Sequence, residues 1–251
     1  MPDLTTTDDI HAGCAATALP RLREDLALAL RAAAHHGLAE GVCNHFSVAL
    51  PDGSQRFLIN PRGLHWSEIA ADDIVLVDAD GAVLQGRHRV EPTAMAIHAA
   101  VHRITGHAVV LHGHMPYATA LTLTVARALD PTLGQGAMRF MGRIAIDDQY
   151  NGLALDRAEG ERIAAAMAGK DVAFLGNHGV IVAGATVAHA YDDLYYLERA
   201  CMHQVLAMST GRPLAPVDAA LAARVARQIQ GEREQSDLFF AALRRLLPAP
   251  R

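Results

Sequence analysis

The 251-residue sequence has few cysteines, a single tryptophan and no dense run of lysine and arginine. Its three widely spaced cysteines, Cys14, Cys43 and Cys201, indicate neither a disulfide framework nor a zinc knuckle, and they favour a reducing, cytoplasmic location. A net charge of -5 argues against nucleic acid or anionic lipid as a partner. Eighteen uncharged apolar residues never occur in succession, so the sequence predicts no membrane span. A small-molecule substrate is the expected partner.

Several enzyme motifs are missing as well. No Gly-x-Gly-x-x-Gly follows a β-like run and opens a helix, and neither a Walker-type Gly-Lys-Ser/Thr nor a serine hydrolase elbow occurs. These absences argue against dinucleotide, P-loop nucleotide and serine hydrolase chemistry. Histidine, by contrast, occurs 14 times. The positions of the histidines are therefore the most informative feature of the sequence.

The patterning predicts an α/β domain. Residues 1–18 lack periodicity and are expected to be a flexible extension, whereas residues 19–251 are expected to form one domain with C-terminal helices. Helical spacing begins near Pro20, and further helices are predicted at 92–106, 116–129, 157–168, 187–208, 217–230 and 234–246. β-like runs occur at 46–50, 57–59, 74–77, 108–114, 172–175 and 180–182. Hairpins mixed with helices imply a layered fold.

His112 and His114 form the first candidate metal site. The apolar run before them predicts a buried strand, and its two-residue period places both imidazoles on one face, near the strand end at Pro116. Two satisfied core histidines are the alternative. An apolar strand end, however, rarely offers the donors and acceptors that two neutral imidazoles need. The pair therefore favours a shared metal ion.

His178 offers a third ligand. It lies in Asn177-His178-Gly179, at a tight connection between two apolar runs. Alone, this tripeptide is more typical of a hairpin turn with an exposed histidine, but the earlier pair makes a shared site the better interpretation. Three imidazoles leave a coordination position open for water or substrate, which is typical of catalytic sites.

His98 and His102 are a rival pair, four residues apart on a predicted helix. No Glu follows His98 as it does in the metalloprotease motif. We expect one of the two to lie near the active site and the other to be structural.

With these residues in place, the sequence resembles the class II aldolase and adducin head-domain family over residues 19–208. Three segments carry the resemblance, which are residues 37–53, His112-Gly113-His114, and residues 175–182 with the long helix that follows. The resemblance implies a three-layer α/β/α fold around a mixed, mainly antiparallel sheet. It also implies homotetramers with active sites between subunits, and a divalent metal on the three histidines, usually zinc and sometimes manganese, iron or cobalt.

The sequence departs from the sugar-phosphate aldolases of that family at two points. Their phosphate-binding Gly-Asn-x-Ser turn is replaced by Asn44-His45-Phe46-Ser47, so a phosphorylated substrate is not expected. Their catalytic Glu aligns with Thr93. Glu91 replaces it only if it lies in the non-helical approach, since two helical residues differ by about 200° of rotation. Otherwise Glu91 is a carboxylate that the helix N-terminus stabilises.

Two loops of the resemblance supply the candidate substrate-binding residues, which are Asn44, Ser47, Arg62, His65 and Ser67. Arg62 either clamps a substrate carboxylate through two hydrogen bonds or is a solvated turn residue. Tyr117, directly after the histidine pair, is either a proton donor or a packed residue at a helix start. Glu91 and Tyr117 are the candidate catalytic residues.

These features together predict a metal-dependent carbon–carbon lyase, an aldolase or a decarboxylase, that acts on a small, non-phosphorylated hydroxy or keto carboxylate. The metal would act as a Lewis acid, and Glu91, Tyr117 or water would handle the proton. A non-haem iron oxygenase on the same scaffold and a non-catalytic adducin-like interaction module are the alternatives.

Overall fold

The computed structural model describes the backbone of residues 7–250 and the side chains of residues 18–250. Its strands are β1 (His45–Ala49), β2 (Phe57–Ile59), β3 (Val75–Val77), β4 (Val83–Gln85), β5 (Val109–Gly113), β6 (Ile144–Asp147), β7 (Val172–Leu175) and β8 (Gly179–Gly184). Its α-helices are α1 (Thr7–His35), α2 (Pro92–Thr105), α3 (Pro116–Thr122), α4 (Gln135–Met138), α5 (Arg157–Ala166), α6 (Val187–Ser209), α7 (Ala219–Gly231) and α8 (Glu234–Leu246). Within residues 7–250, none of the helices combines the length and the apolar content that a membrane crossing needs.

The strands form one sheet in the order β4-β3-β2-β1-β5-β8-β7-β6. Neighbouring strands are antiparallel except β6 and β7, which are parallel. The predicted mixed, mainly antiparallel sheet is therefore confirmed. β5 and β8, which carry or adjoin the three candidate metal ligands, are neighbours at the centre of this sheet.

Helices cover both faces of the sheet. One face packs against α1, α3, α6 and α8 through a large apolar cluster that includes Phe46, Leu111 and Val182. The opposite face packs against α2 and α5 through a smaller cluster that includes Val110 and Ile181. This arrangement confirms the predicted three-layer α/β/α fold. Because a one-residue slip would turn every buried side chain to the wrong face, the two clusters also fix the strand register.

The first helix is longer than the sequence pattern predicts. It begins at Thr7 rather than near Pro20, which lies inside it, so helical backbone replaces the irregular chain expected at residues 7–18. Alanine is frequent at residues 12–18 and favours a helix even where an apolar stripe is lacking. Residues 1–6 of the predicted extension lie outside the described residues.

The third helix is shorter than predicted. It ends at Thr122 rather than Leu129. The hydroxyl groups of Thr122 and Thr124 donate to the carbonyl groups of Thr119 and Leu121, at 2.7 and 2.8 Å. Hydroxyl groups that bond locally to the backbone favour a turn over a continued helix. The short elements β4, β6 and α4 were not predicted. β4 has only three residues, all of them exposed, and is too short to show an alternation of apolar and polar residues.

Candidate active site

Strand β5 positions the first two candidate ligands. His112 lies two residues after Val110, on the sheet face that packs against α2 and α5, and His114 follows directly after the strand end at Gly113. His112 is almost wholly buried, and His114 is partly buried. The two imidazole centroids are 5.1 Å apart. The two-residue period therefore brings both rings to one place, as predicted.

The turn between β7 and β8 positions His178. Asn177 has φ +57°, the left-handed conformation that asparagine tolerates better than most residues, and it reverses the chain there. A Cβ atom at Gly179 would lie 2.7 Å from both the Gly113 oxygen and a His114 ring carbon, so only glycine fits. This close approach of β8 to β5 brings His178 beside the histidine pair.

The structure brings all three predicted ligands together. His112, His114 and His178 offer ring nitrogens that lie within 4.8 Å of one another. The ring centroids of His178 are 4.8 Å from His112 and 4.9 Å from His114. Such convergence of neutral donors fits a single divalent cation with an open coordination position.

Hydrogen bonds on the far side of two rings fix which nitrogen faces the centre. His112 donates its Nδ1 hydrogen to the Val180 carbonyl oxygen at 3.0 Å, which leaves Nε2 as a lone-pair donor. His114 Nδ1 contacts a Glu40 carboxylate oxygen at 2.5 Å, while its Nε2 is buried without a partner among the described residues. Metal-binding histidines typically have such a partner on the second nitrogen. The donor set therefore fits a metal ion.

The surroundings keep the rings of His112 and His178 uncharged. Burial, followed by the nearby His114, lowers the pKa of His178 to about 4. Burial and the neighbouring imidazoles, His178 first, lower the pKa of His112 well below its usual value. Because only a neutral imidazole can donate a lone pair, the site is ready for a metal at neutral pH.

The three histidines line a cavity of about 590 Å³, a volume typical of small-molecule sites. Arg62, Glu91 and Thr93 line it as well. Arg62 Nε lies 2.7 Å from a Glu91 carboxylate oxygen, and the Arg62 side chain is 57% exposed. The cavity thus combines candidate metal ligands with an ion pair at its rim.

Glu91 lies where the sequence argument requires it to lie. It is the residue before α2, with extended backbone angles, and its side chain makes no capping hydrogen bond. Glu91 therefore occupies the non-helical approach and shares the cavity with Thr93 from the first helical turn. Its carboxylate lines the cavity, where it is paired with Arg62.

Of the other predicted substrate-binding residues, Asn44 lines the cavity, whereas Ser47, His65 and Ser67 do not. Asn44 lines the cavity, but its side-chain oxygen accepts the His114 backbone N–H at 3.1 Å. Ser47 of β1 is buried against α2, where its hydroxyl bonds to two histidines of that helix. His65 caps the short 3-10 helix Trp66–Glu68 and bonds to Ser67 at 2.7 Å. The structure does not bring Ser47, His65 or Ser67 into the cavity.

Tyr117 also lies outside the histidine cavity. It lines a separate cavity of about 160 Å³ with His36, Tyr195 and Glu198. Its backbone N–H donates to Glu198 at 2.8 Å, so the first turn of α3 is capped by a carboxylate of α6. Tyr117 is therefore not among the residues that line the histidine cavity.

Three residues in or beside the cavity were not predicted. His45 lines it, with its ring 5.9 Å from that of His112, and burial, followed by the charges of His114 and His178, lowers its pKa to about 3. Tyr150 lines it near His178, and Glu40 contacts His114. His45 was recognisable, because a polar residue in the apolar alternation of a buried strand needs an explanation.

A model described as the Class II Aldolase and Adducin N-terminal domain matches residues 24–205. The chain belongs to the class II aldolase and adducin family. One relative, a putative aldolase class 2 protein of Caulobacter vibrioides, is 36% identical over 192 residues, covering 76% of this chain and 74% of the relative. Among solved structures of the family, an aldolase II superfamily protein from Pseudomonas syringae superposes with a TM-score of 0.84 at 33% identity, covering 91% of this chain and 92% of that one.

Other relatives carry the names of different activities. The decarboxylase NovR of Streptomyces niveus is 34% identical over 190 residues, which are 74% of this chain and 70% of the relative. A 4-hydroxy-3-prenylphenylpyruvate oxygenase/4-hydroxy-3-prenylbenzoate synthase of Streptomyces roseochromogenus is 34% identical over 188 residues, 74% of this chain and 67% of the relative. The L-fuculose 1-phosphate aldolase structure from Glaciozyma antarctica has a TM-score of 0.80 at 25% identity, and the match covers 98% of this chain and 94% of that one. The family thus includes lyases of more than one kind.

Proposed function

We propose that the chain is a metal-dependent carbon–carbon lyase that acts on a small, non-phosphorylated hydroxy or keto carboxylate. The observation that carries the proposal is the convergence of three imidazole nitrogens within 4.8 Å, beside an arginine and a carboxylate in one cavity. Membership of a family with aldolase and decarboxylase relatives supports it. Aldol cleavage and decarboxylation both remain within the proposal, because both break a bond next to a polarised oxygen.

His112, His114 and His178 would hold the metal, with zinc first and manganese, iron or cobalt as alternatives. A bound divalent ion supplies a Lewis acid that polarises oxygen and stabilises developing negative charge. The protein's part is to keep His112 and His178 neutral through burial, and to orient His112 through the Val180 carbonyl and His114 through Glu40.

Arg62 would bind the substrate carboxylate. Its Nε is paired with Glu91, and a guanidinium has further N–H donors at its end that can bind a carboxylate in a bidentate manner. The Glu91 carboxylate, held beside the cavity by that pair, would take the proton of a substrate hydroxyl in aldol cleavage. In decarboxylation, Glu91 would take a proton from water and pass it to the substrate carbon from which carbon dioxide has left.

The Ser47 contacts support a substrate without phosphate. The Ser47 hydroxyl bonds to His98 and His102, so it is not free to donate to an anion. The positive charge of Arg62 suits a carboxylate at the rim instead.

The test combines metal analysis with a substrate screen. Zinc per chain is measured on purified protein, and 2-hydroxy, 3-hydroxy and 2-oxo acids labelled with ¹³C at the carboxyl group are then offered. Labelled carbon dioxide indicates decarboxylation, and a trapped aldehyde indicates aldol cleavage. We expect one zinc per chain and turnover of at least one acid, both abolished in His112→Ala and retained in the control His203→Ala, an exposed histidine of α6. Stoichiometric zinc in His112→Ala would contradict the ligand assignment.

A non-haem iron oxygenase is the second candidate, favoured by the relative named as an oxygenase. Exclusion of oxygen separates the two, because a lyase works anaerobically and an oxygenase does not. A protein purified without metal and unable to bind zinc would instead favour a non-catalytic, adducin-like module.

The homotetramer and the cytoplasmic location remain predictions. Light scattering of the purified protein tests the first, with four chains expected. Fractionation of cells tests the second.

A further inference from the structure

The strand ends around the histidine cavity meet at one edge of the sheet. β5 ends beside the histidine pair, and β8, which is antiparallel to β5, begins directly after His178. When the pairing is followed outwards, β2 on one side and β6 on the other also end at this edge. The loops that follow β2 and β6 therefore flank the candidate metal ligands on opposite sides along the sheet.

The two flanks of the cavity differ in chemistry. The loop after β2 and the approach to α2 supply Arg62 and Glu91, which form an ion pair. The segment between β6 and α5 supplies Tyr150, Leu153 and Ala154 to the same cavity. The cavity is thus charged on one side of the histidines and apolar on the other. The proposed mechanism uses the histidines and the charged side only.

The two large side chains of the apolar side, Tyr150 and Leu153, are exposed, and we call them the apolar wall. Tyr150 is 51% exposed and Leu153 is 71% exposed. The Tyr150 ring centroid lies 6.4 Å from that of His178, so the wall begins beside a candidate metal ligand. Large apolar side chains that are left in water at a concave site mark a binding surface, because covering them is favourable.

The segment that carries the apolar wall is held by polar contacts to α5. The carbonyl oxygen of Gln149 accepts a hydrogen bond from Arg162 at 3.2 Å. The side-chain amide of Asn151 donates to Glu159 at 3.0 Å. The chain is therefore anchored on both sides of Tyr150. Because the wall is preorganised, a ligand that covers it has little ordering cost to overcome.

The cavity is larger than the reacting part of the proposed substrate. Its volume of about 590 Å³ falls within the range of about 300–1,000 Å³ that is typical of sites for drug-sized ligands. A carboxylate at Arg62 and the neighbouring hydroxyl or keto oxygen would occupy only the charged side and the centre. The remaining space is bounded by the apolar wall.

We propose that the apolar wall determines specificity by binding an aromatic group at the end of the substrate that is remote from its carboxylate. This inference rests on the proposed function, because it takes the carboxylate to lie at Arg62. An aromatic group suits the wall because it can pack against the Tyr150 ring and bury the Leu153 methyl groups at the same time. The substrate class is thereby narrowed to hydroxy or keto carboxylates that bear an aryl substituent.

A pair of acids isolates the apolar contact. 3-Phenyllactate and lactate share the carboxylate and the hydroxyl group and differ only in the phenyl ring. Calorimetry measures the affinity of each acid, with and without zinc. We expect 3-phenyllactate to bind about 10-fold to 100-fold more tightly, since this range corresponds to the burial of an aromatic side chain. Equal affinities would overturn the inference.

Substitutions in the wall locate the contact. Tyr150→Ser and Leu153→Ser should each lower the preference for 3-phenyllactate about fivefold to tenfold, while the affinity for lactate stays at its wild-type value. The matched control is Leu155→Ser, because Leu155 is an exposed leucine of the same segment that lies outside the cavity lining. We expect an unchanged preference in this control. An unchanged preference in both wall variants, or an equal loss in the control, would overturn the inference.

A second copy of the chain is the other occupant that the test must separate from the substrate. Light scattering of the wall variants gives the number of chains per particle, and we expect the wild-type number. If the wall variants changed that number and kept the preference for 3-phenyllactate, the wall would be a subunit contact and the inference would be wrong.

The two proposals fail in different ways. A protein that prefers 3-phenyllactate but binds no zinc contradicts the proposed function and leaves the role of the apolar wall standing. A protein that binds zinc on the three histidines and turns over an acid, but shows no preference for the phenyl ring, contradicts only the further inference.

Discussion

Two buried polar clusters in this molecule are built on opposite principles. In the histidine cavity and directly behind it, ring nitrogens of His45, His98 and His114 lack partners among the described residues. On α6, Asp192 and Asp193 are equally buried, yet both carboxylates contact Arg139 and Arg233. Because an unsatisfied buried polar group destabilises a fold, it persists where a ligand completes it. The comparison indicates that the first cluster serves binding and the second holds helices together.

By volume alone, a cavity beside the aspartate cluster would rank above the histidine cavity as a candidate site. The largest cavity among the described residues, about 800 Å³, lies beside the aspartate cluster between α4, α7 and α8. Its arginines are already engaged, Arg139 with Asp192 and the face of Tyr196, and Arg233 with Asp193. No uncompensated guanidinium is left to attract a ligand, so the smaller histidine cavity remains the better functional candidate.

The largest expected effect is the loss of metal in His178→Ala. Removing one of three neutral ligands leaves two nitrogens, too few for a stable catalytic site. We expect zinc binding by equilibrium dialysis to be abolished, while the unfolding free energy of the metal-free protein changes little. If the variant kept wild-type zinc affinity, the turn histidine would not be a ligand.

Asp193→Asn should have the opposite profile. Asp193 contacts Arg143 at 2.7 Å and Arg233 at 2.9 Å, so the change leaves two guanidinium groups without their buried partner. We expect a loss of about 3–5 kcal/mol in the free energy of unfolding, measured by urea titration, and zinc affinity within a factor of two of wild type at ~25 °C. A stable variant with weakened zinc binding would reverse the assignment of the two clusters.

Acid should separate the clusters by pH. Burial lowers the folded pKa of His102 to about 4, below its unfolded value of about 6.5, so the unfolded chain binds the proton first and metal-free stability should fall between roughly pH 6.5 and 4. Burial raises the pKa of Asp193, but the guanidinium groups of Arg143 and Arg233 lower this pKa by a larger amount, so the net pKa is below its usual value. Its contribution is complete above about pH 3.9 and is lost as the pH falls through the folded value.

Urea titrations across pH check this separation. His102→Gln should make the upper limb shallower without abolishing it, because the other buried histidines also contribute there, and Asp193→Asn should make the lower limb shallower. If both variants changed the free energy of unfolding over the same pH range, the separation of the two clusters would be contradicted.

Glu40→Gln should have the smallest effect. Glu40 contacts His114 Nδ1 and is mostly exposed, so the amide keeps the shape and loses the charge. Outer partners of this kind typically change metal affinity about 10-fold to 100-fold, and we expect a decrease in that range with turnover at saturating zinc preserved. Competition with a coloured chelator measures it, and equal affinity would place the Glu40 contact outside the metal site.

Much of the site was predictable because it is encoded locally. The two-residue period of β5 fixed His112 and His114, and the Asn177-His178-Gly179 turn fixed the third ligand. The longer-range contacts were not predictable. His114 meets Glu40 across 74 residues of sequence, and no local pattern encodes that contact.

Ser47 is a residue that the sequence placed in the substrate site and that the structure places outside the cavity. The family resemblance placed it with the substrate, but Ser47 lies two residues further along β1 than His45, where α2 covers the strand and His98 and His102 bond to its hydroxyl. Which face of β1 packs against α2 depends on the pairing of β1 with β5, which sequence spacing alone does not specify. The fold class was predictable from hairpin and helix patterns, whereas a strand of three residues such as β4 is too short to show an apolar period.

Thermal unfolding during a zinc titration tests the central claim most directly. A ligand that binds only the folded state raises the unfolding temperature, and the rise grows with the logarithm of the ligand concentration divided by the dissociation constant. We predict that zinc raises the unfolding temperature of wild type and of Asp193→Asn by similar amounts and leaves that of His178→Ala unchanged. An equal rise in His178→Ala would mean that zinc binds elsewhere, and it would contradict the histidine metal centre.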